Sequence, residues 1–186
     1  MNIMICGVGG QGTLLASRII GSAVVASGYD VKISEVHGMS QRGGSVVTYV
    51  KYGKEVHSPL TDPGTADIVL AFEILEAARA LPALKFGGTM LINKQKILPM
   101  PVISGKAEYP NNLAEKLAGK ADVLTVDAFA LASSAGNMKA ANVVMIGALA
   151  KKSDIPKDVW VQAVRDNVPE KFLDVNLKAF ELGYSA

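Results

Sequence analysis

The fold is decided by the stretch Met1-Asn-Ile-Met-Ile-Cys-Gly-Val-Gly-Gly-Gln-Gly12. Its apolar run at residues 3–6 predicts a buried strand, and the helical pattern that starts after Gly12 predicts a helix directly behind it. Between the two, Gly7, Gly9 and Gly12 have the G-x-G-x-x-G spacing of a dinucleotide-binding turn. Such glycines let the backbone approach an anion, which the amides and the dipole of the new helix attract. A tight strand-to-helix turn without a ligand has the same spacing, so both interpretations stay open.

The composition indicates one globular α/β protein rather than a disordered or membrane-spanning chain. With 186 residues, of which 49% are hydrophobic, the chain is long enough to bury its own core. Its net charge of +2 is close to neutral and its basic residues are scattered, so nothing indicates a nucleic-acid partner. No apolar run approaches the length of a membrane span, and the apolar start lacks a basic leader and breaks at Gly7. We therefore expect a cytoplasmic protein that binds neither nucleic acid nor membrane.

The cysteine and histidine content limits the chemistry of this chain. Cys6 is the only cysteine, so the chain can form no internal disulfide and cannot hold an iron–sulfur cluster alone, since such clusters usually need four thiolates. His37 and His57 lie in different segments without a cysteine pair, so a zinc site has no support. We expect Cys6 to be a small buried apolar residue.

The second predicted strand, residues 31–36, carries an acidic residue at a suggestive distance from the glycine turn. Glu35 follows Gly12 by 23 residues, close to the position where a Rossmann carboxylate binds a ribose. A carboxylate at a strand end that pairs with a nearby cation is the alternative.

The next stretch is His37-Gly-Met-Ser-Gln-Arg-Gly-Gly44, a glycine-rich loop with Arg42 among small and polar groups. At the carboxyl end of a strand, such a loop suits a phosphate or carboxylate ligand. It equally suits a recognition surface for another protein, or a plain connection with a solvated arginine. Together with the glycine turn it supplies the candidate site residues Gly7, Gly9, Gly10, Gln11, Gly12, Glu35, His37, Met39, Ser40, Gln41, Arg42, Gly43 and Gly44.

Beyond this loop, strands and helices alternate with one interruption. The valine- and tyrosine-rich residues 45–52 predict a strand, and we expect a turn at 52–54 and a short return strand at 55–57 to complete an inserted β-hairpin. Further strands are predicted at 67–71, 89–93, 102–103 and 122–127. Glu73 and Glu76 fall in the first turns of a helix predicted at 73–80, where they complement its dipole or form a catalytic pair.

The second half of the chain is mostly helical. Helices are predicted at 112–117, from 128, at 137–150, at 156–168 and at 169–182. The helix at 137–150 is almost uncharged, so we expect it to be buried on most sides. Trp160, Phe172 and Phe180 are expected to pack the last two helices back on the domain.

The predicted fold is therefore a mainly parallel Rossmann-like sheet flanked by helices, with an inserted β-hairpin and a C-terminal helical pair. We expect one domain over residues 1–186, with 153–186 a helical tail packed on it.

Several of these motifs resemble one protein family, the gamma subunits of 2-oxoacid:ferredoxin oxidoreductases. The resemblance rests on Gly7-Val-Gly-Gly-Gln-Gly12, on Glu35-Val-His-Gly-Met-Ser-Gln-Arg-Gly-Gly44, and on Ala66-Asp67 with Glu73. The tail is most similar to the beta subunits of indolepyruvate:ferredoxin oxidoreductases, through Ile155-Pro156, Trp160, Val168-Pro169, Phe172, Asn176 and Ala179-Phe180. The match covers nearly the whole chain, and the arginine-containing segment is its most specific part.

The resemblance implies a non-independent subunit of an enzyme that oxidatively decarboxylates a 2-oxoacid. A large alpha subunit would hold thiamine diphosphate, Mg and the iron–sulfur clusters, would pass electrons to ferredoxin, and would transfer the acyl group to coenzyme A. In the indolepyruvate branch the substrates are aryl pyruvates. This chain lacks the Gly-Asp-Gly motif, with a downstream asparagine, that holds thiamine diphosphate in such enzymes. We therefore expect it to bind no cofactor alone, to contribute no catalytic residue alone, and to be inactive by itself.

The resemblance also changes the interpretation of the candidate site. The glycine turn and the loop at residues 39–44 would face the partner's cofactor or coenzyme A, with Arg42 as the candidate for an anionic group. Glu35 would support the loop or an interface rather than bind a ribose. The alternatives are a gamma subunit for pyruvate, 2-oxoglutarate or branched-chain 2-oxoacids, a free NAD- or FAD-binding Rossmann protein, and a stand-alone homodimeric scaffold. The isolated chain could also form a homodimer.

Overall fold

A six-stranded sheet is the centre of the computed structural model, which describes residues 1–37 and 43–186. Its strands lie in the order β2-β3-β1-β4-β5-β6. They are β1 (Asn2–Val8), β2 (Asp30–His37), β3 (Ser45–Gly53), β4 (Ala66–Ala71), β5 (Leu84–Asn93) and β6 (Asp122–Val126). The apolar N-terminal segment is thus an inner strand of the sheet, as the sequence predicts.

The sheet is mostly parallel, which confirms the predicted fold class. β1, β4, β5 and β6 pair in parallel, whereas β3 is antiparallel to both of its neighbours, β1 and β2. The helix after β1 leads the chain to β2, which lies two positions from β1 in the sheet. The later strand β3 occupies the position between β2 and β1. The inserted hairpin exists, but it consists of β2 and β3.

The predicted return strand at 55–57 is therefore wrong. Those residues form no strand. The backbone N–H of Val56 instead donates to Oδ2 of Asp30 at 2.9 Å, which fastens the segment beside the start of β2. The positions beside β3 are already taken by β1 and β2, so no edge is left for a third partner.

Helices cover both faces of the sheet. They are α1 (Thr13–Ala26), α2 (Ile74–Ala80), α3 (Met100–Ile103), α4 (Leu113–Ala118), α5 (Ala128–Ala135), α6 (Ala141–Lys151), α7 (Lys157–Asn167) and α8 (Leu173–Ser185). Ile3 and Ile5 point into the core formed with α1 and α5 to α8. Met4 and Cys6 point into the opposite core, which contains α2 and α4. This alternation is the period of a strand that is buried on both faces.

Two further predictions differ from the structure near the prolines. Residues 102–103 belong to the helical turn α3 and not to a strand. Pro99 precedes this turn and Pro101 lies in its first positions, where the fixed proline φ favours a helix start. β5 starts at Leu84, earlier than predicted, and runs through the glycines at 87 and 88.

The two C-terminal helices pack on the sheet side that α1 and α6 occupy. Trp160 and Phe180 are buried in that core, as predicted, whereas Phe172 is 43% exposed and does not anchor the tail. The uncharged helix predicted at 137–150 starts later, as α6 at Ala141 after a 3-10 turn, and its residues 141–150 are buried throughout, as expected. That residues 1–186 form one domain stays a prediction.

The crossing of α6 and α8 has no counterpart in the sequence predictions. A Cβ at Gly183 would lie 1.9 Å from the carbonyl oxygen of Val144, and a Cβ at Gly147 would lie 2.2 Å from that of Phe180. The two helix backbones therefore touch directly, and each needs glycine at the contact. In the part of the chain that the structure describes, no helix is long and apolar enough to cross a bilayer.

Candidate functional site

The glycine turn lies where β1 ends, between β3 and β4. The N–H of Gln11 donates to the carbonyl of Val8 at 3.2 Å and closes the turn. Gly10 and Gly12 have φ values of +101° and +81°, a region that side chains other than glycine rarely adopt. α1 begins directly after Gly12. The predicted strand–turn–helix unit is thus present, and two of its glycines are required by backbone conformation.

The turn meets the end of the arginine-containing loop. The N–H of Gly9 donates to the carbonyl of Gly44 at 2.9 Å, and Ser45 pairs with Val8 across the start of β3. The structure thus brings Gly44 beside the glycine turn, and Gly43 is its neighbour in the chain. His37 is the last residue of β2, whereas Met39, Ser40, Gln41 and Arg42 lie outside the described residues.

The side chain of Gln11 closes the carboxyl edge of the sheet. Its Oε1 accepts from the backbone N–H of Val8 at 2.6 Å, and its Nε2 donates to the carbonyl of Phe72 at 2.9 Å and to Oε1 of Gln95 at 2.7 Å. One side chain therefore joins the ends of β1 and β4 to the segment after β5. It also explains Gly7, because a Cβ there would lie 2.7 Å from Oε1 of Gln11.

A cavity of about 520 Å³ opens beside this network. It lies between the glycine turn, the carboxyl ends of β4 and β5, and the starts of α5 and α6. It is lined by Gly9, Gly10, Gln11, Gly12, Phe72, Asn93, Gln95, Ile97, Phe129, Met138, Lys139, Ala141 and Asn142. After β1 the chain first goes to one side of the sheet and later returns to the other with β4. Ligands of open α/β sheets bind at such a switch point.

The electrostatics of the cavity favour an anionic group. α1 begins at the cavity wall, and no side chain among the described residues caps its first amides. Those amides and the helix dipole attract negative charge, and Lys139 adds a cation to the lining. Phe129, Met138 and Ile97 supply apolar surface. The cavity can therefore hold a ligand with an anionic group and an apolar part.

Two asparagines of the cavity were not anticipated from the sequence. Asn93 is buried, donates to the carbonyl of Phe72 at 3.1 Å and accepts from the N–H of Ala128 at 3.2 Å, so it joins β5, β4 and α5. Asn142 donates to the carbonyl of Gly12 at 3.3 Å. Each had a sequence signal: Asn93 ends a predicted strand, and Asn142 is a polar residue that directly precedes the apolar run at 143–146 of a predicted helix.

Glu73, which directly precedes α2, and Glu76, in its first turn, lie behind the cavity and do not line it. Glu73 accepts from the N–H groups of Leu75 and Glu76 and so caps α2, while Glu76 accepts from the hydroxyl of Ser45 at 2.5 Å and pairs with Arg79. Burial and the hydrogen bond to Glu73 raise the pKa of Tyr109. Both carboxylates are occupied by structural donors, which disfavours the catalytic-pair hypothesis and supports their role at the helix start.

Cys6 is buried between the sheet and α2, as expected. Burial, and then the negative charges of Glu76 and Glu73, raise the pKa of its thiol. The thiol stays protonated at neutral pH, so Cys6 is a packing residue. Within residues 1–37 and 43–186, no group of three or more His, Cys, Asp or Glu side chains could hold a metal ion.

Glu35 lies too far along the sheet for the ribose role. It pairs with Thr48 of β3, and β3 separates β2 from β1. A Rossmann carboxylate stands on the strand next to the glycine turn, whereas Glu35 is displaced by a further strand spacing of about 4.8 Å. The position agrees with the interpretation of Glu35 as a residue that supports the loop or an interface.

A family model described as pyruvate ferredoxin/flavodoxin oxidoreductase matches residues 2–186. The chain belongs to the pyruvate ferredoxin/flavodoxin oxidoreductase family. Its relatives in this family are subunits of oxidoreductases. This confirms the resemblance of the sequence to the gamma subunits of 2-oxoacid:ferredoxin oxidoreductases.

Curated relatives of this oxidoreductase family cover the whole chain. The indolepyruvate oxidoreductase subunit IorB of Thermococcus kodakarensis is 43% identical, and its namesake from Pyrococcus horikoshii is 44% identical. Each alignment includes 100% of this chain and 95% of the relative. The crystal structure of a keto/oxoacid ferredoxin oxidoreductase gamma subunit from Geobacter sulfurreducens superposes with a TM-score of 0.74 at 25% identity, over 99% of this chain and 96% of that one.

Proposed function

We propose that the chain is the small, non-independent subunit of an indolepyruvate:ferredoxin oxidoreductase. The observation that carries the proposal is its 43–44% identity to two indolepyruvate oxidoreductase subunits over its entire length. A large partner subunit would hold thiamine diphosphate, Mg and the iron–sulfur clusters. The complex would decarboxylate aryl pyruvates, pass electrons to ferredoxin and form an acyl-coenzyme A in the cytoplasm. The chain alone would be inactive.

The geometry supports the role of a wall in a site shared between subunits. The open start of α1, Lys139 and the apolar surface of Phe129 and Ile97 suit a cofactor that has an anionic group and an apolar part. Thiamine diphosphate and coenzyme A both have these features. In this proposal the glycine turn and residues 39–44 face one of them, and Arg42 binds its anionic group.

The second candidate function is a gamma subunit for pyruvate, 2-oxoglutarate or branched-chain 2-oxoacids. It is favoured by the shared fold with the gamma subunit from Geobacter sulfurreducens, although the identity there is 25%. A free NAD- or FAD-binding protein has less support. β3 stands where the ribose-binding strand would pair with β1, and the side chain of Gln11 bridges the ends of β1 and β4.

Reconstitution tests the proposed function. The purified chain is mixed with its large subunit, and reduction of ferredoxin or of a dye is followed with indolepyruvate, pyruvate, 2-oxoglutarate or 3-methyl-2-oxobutanoate in the presence of coenzyme A. We expect activity only with both chains, and the highest kcat/KM with indolepyruvate. A large subunit that is fully active alone refutes the subunit role. Preference for another oxoacid selects the second candidate.

Calorimetry of the isolated chain tests the Rossmann alternative. Titration with NAD and with FAD should give no binding in the micromolar range. Micromolar binding without a partner would favour a free dinucleotide-binding protein over the proposed subunit.

The site proposal is tested by Arg42→Ala in the reconstituted enzyme. Loss of an arginine contact to an anionic group should cost about 1.5–3 kcal/mol, visible as a higher KM for coenzyme A or for thiamine diphosphate. Lys54→Ala is the matched control, because Lys54 is an exposed cation after β3, at the opposite edge of the sheet. If Arg42→Ala behaves like Lys54→Ala while assembly is normal, Arg42 does not contact the cofactor.

A further inference from the structure

Glu73 is a buried carboxylate that contacts three separate segments. It is 1% exposed. Its Oε2 accepts from the backbone N–H groups of Leu75 at 2.6 Å and Glu76 at 2.9 Å. Its Oε1 accepts from the backbone N–H of Ile97 at 3.1 Å and from the hydroxyl of Tyr109 at 2.6 Å. The two oxygens thus serve different partners: one caps α2, and the other holds the segment after β5.

That segment is a wall of the cavity. Gln95 and Ile97 line the cavity, and Gln95 accepts the amide of Gln11 at 2.7 Å. The start of α2 also holds the wall through the N–H of Ile74, which donates to the carbonyl of Gln95 at 3.1 Å. Glu73 therefore affects the cavity indirectly: it binds the backbone of Ile97, and Ile97 lines the cavity.

Capping alone does not explain the residue at position 73. The usual capping residues are Ser, Thr, Asp and Asn, whose short side chains reach the first amides of the helix. A glutamate is one methylene longer than an aspartate, and its second carboxylate oxygen, like that of an aspartate, is costly to bury unless it is also hydrogen-bonded. Here Ile97 and Tyr109 satisfy the second oxygen. The extra length is used to reach the cavity wall.

We propose that Glu73 is a positioning residue that holds the Gln95–Ile97 wall in the geometry required by the cofactor in the cavity. The identity of that cofactor as coenzyme A or thiamine diphosphate rests on the proposed function. Glu73 itself does not line the cavity and takes no part in a chemical step.

Glu73→Gln separates the two tasks of the side chain. The amide keeps one acceptor oxygen, so it can still cap α2. Its NH₂ group must then face the N–H of Ile97, where two donors cannot bond. Glu115→Gln is the matched control, since Glu115 is an exposed carboxylate in the first turn of α4. Tyr109→Phe removes one donor to Glu73 and leaves the bond from Ile97 in place.

Two measurements test the proposal in the reconstituted enzyme, after the wild-type complex has been shown to be active. In Glu73→Gln we expect the amides of residues 95–97 to exchange hydrogen at least about tenfold faster. We expect the KM for coenzyme A or for thiamine diphosphate to rise between about threefold and a hundredfold, with kcat changed less than about twofold. Glu115→Gln and Tyr109→Phe should remain within about twofold of the wild type in both KM values.

The outcomes are distinguishable. An inactive wild-type complex counts against the proposed function and is seen before any variant is made. An active complex in which Glu73→Gln leaves both KM values unchanged, or lowers only kcat or thermal stability, overturns the positioning role. If Tyr109→Phe raises a KM as much as Glu73→Gln does, the bond to Ile97 is not the one that positions the wall, and the proposal is also overturned.

Discussion

Glycines at the sheet edge and glycines at the α6–α8 crossing solve opposite problems. At the edge, Gly10 and Gly12 have positive φ values and give the backbone a path that other residues cannot follow. At the crossing, Gly147 and Gly183 lie in ordinary helices, and their missing side chains let two backbones touch. The first pair opens a cavity, and the second pair closes a core. The same residue type therefore indicates a site in one place and packing in the other.

The difference shows when the structural role of a glycine can be recognised from the sequence. The edge glycines are clustered within a few residues, so their spacing forms a recognisable motif. The crossing glycines are 36 residues apart, on helices that each look regular. Their need for glycine arises only when the helices meet. Substitutions at both glycine pairs, and at one carboxylate of the opposite sheet edge, break or sharpen this comparison.

The largest effect is expected for Gly183→Ala. The new Cβ would lie 1.9 Å from the carbonyl oxygen of Val144, and neither helix backbone can yield without moving its neighbours. We expect the free energy of unfolding to fall by about 3 kcal/mol or more in urea titrations. Gly119→Ala is the control, because Gly119 has a negative φ of −74° and its nearest contact would be 3.7 Å away.

Gly119→Ala should leave stability unchanged or raise it by up to about 1 kcal/mol. If Gly183→Ala costs no more than Gly119→Ala, the helices cross at a greater distance than described, and the contrast between the two glycine pairs disappears.

A smaller effect is expected at the glycine turn. Gly10→Ala should cost about 1–2 kcal/mol, the penalty for a left-handed backbone, because no atom of the described residues, apart from its chain neighbours, lies within 4 Å of its new Cβ. Gly12→Ala should cost about 1 kcal/mol more, since its Cβ would lie 2.5 Å from Nδ2 of Asn142. Thermal unfolding of both variants measures the difference.

Asn142→Ala isolates the steric part of this prediction. Combined with Gly12→Ala, it should remove most of the extra stability loss that Gly12→Ala has over Gly10→Ala. In a double-mutant cycle, the double variant is then more stable than the sum of the two single effects predicts. Additive effects of the two substitutions would mean that Asn142 does not constrain Gly12.

The smallest effect is expected at the opposite, amino-terminal edge of the sheet. Burial raises the pKa of Asp67, but hydrogen bonds from Lys85 and from the N–H of Asn2 outweigh it, so the pKa lies below the ordinary 3.8. A carboxylate with a lowered pKa stabilises the fold above the pKa of the unfolded chain and loses that contribution as the pH falls through its folded pKa. Asp67→Asn should therefore cost about 0.5–1 kcal/mol at pH 7, and the cost should shrink below about pH 4.

Urea titrations from pH 7 to pH 2.5 check this pH dependence. Asp62→Asn, at an exposed loop carboxylate, serves as the control for the loss of one surface charge. A cost of Asp67→Asn that stays constant below about pH 4 would show that packing rather than charge holds the amino-terminal edge.

Much of the fold could be predicted because local patterns decide it. The strand at 3–6, the helix after Gly12 and the helix predicted at 73–80 follow from apolar period and end signals within a few residues, whereas the capping role of Glu73 was not predicted. The two strands that pair with β3 could not be predicted from such local patterns. A strand rich in valine and tyrosine pairs with any free edge, and only the complete sheet determines that β1 and β2 supply both edges.

The candidate site shows the same limit. Spacing identified the glycine turn, and the structure joins Gly9 to Gly44 of the second loop by a hydrogen bond. Asn142 was missed because it reaches Gly12 across 130 residues of sequence. The roles of Met39, Ser40, Gln41 and Arg42 stay predictions, since those residues lie outside the described ranges.

The place of β3 between β1 and β2 has a consequence for synthesis of the chain. β1 is made first, yet both of its neighbours come later, at Ser45–Gly53 and Ala66–Ala71. The hairpin of β2 and β3 can form from local contacts, whereas β1 must wait for segments distant in sequence, and such pairings form slowly. During synthesis, an apolar strand with two open edges therefore precedes its partners. Unpaired apolar strands of this kind are the segments from which aggregation of incomplete chains generally starts.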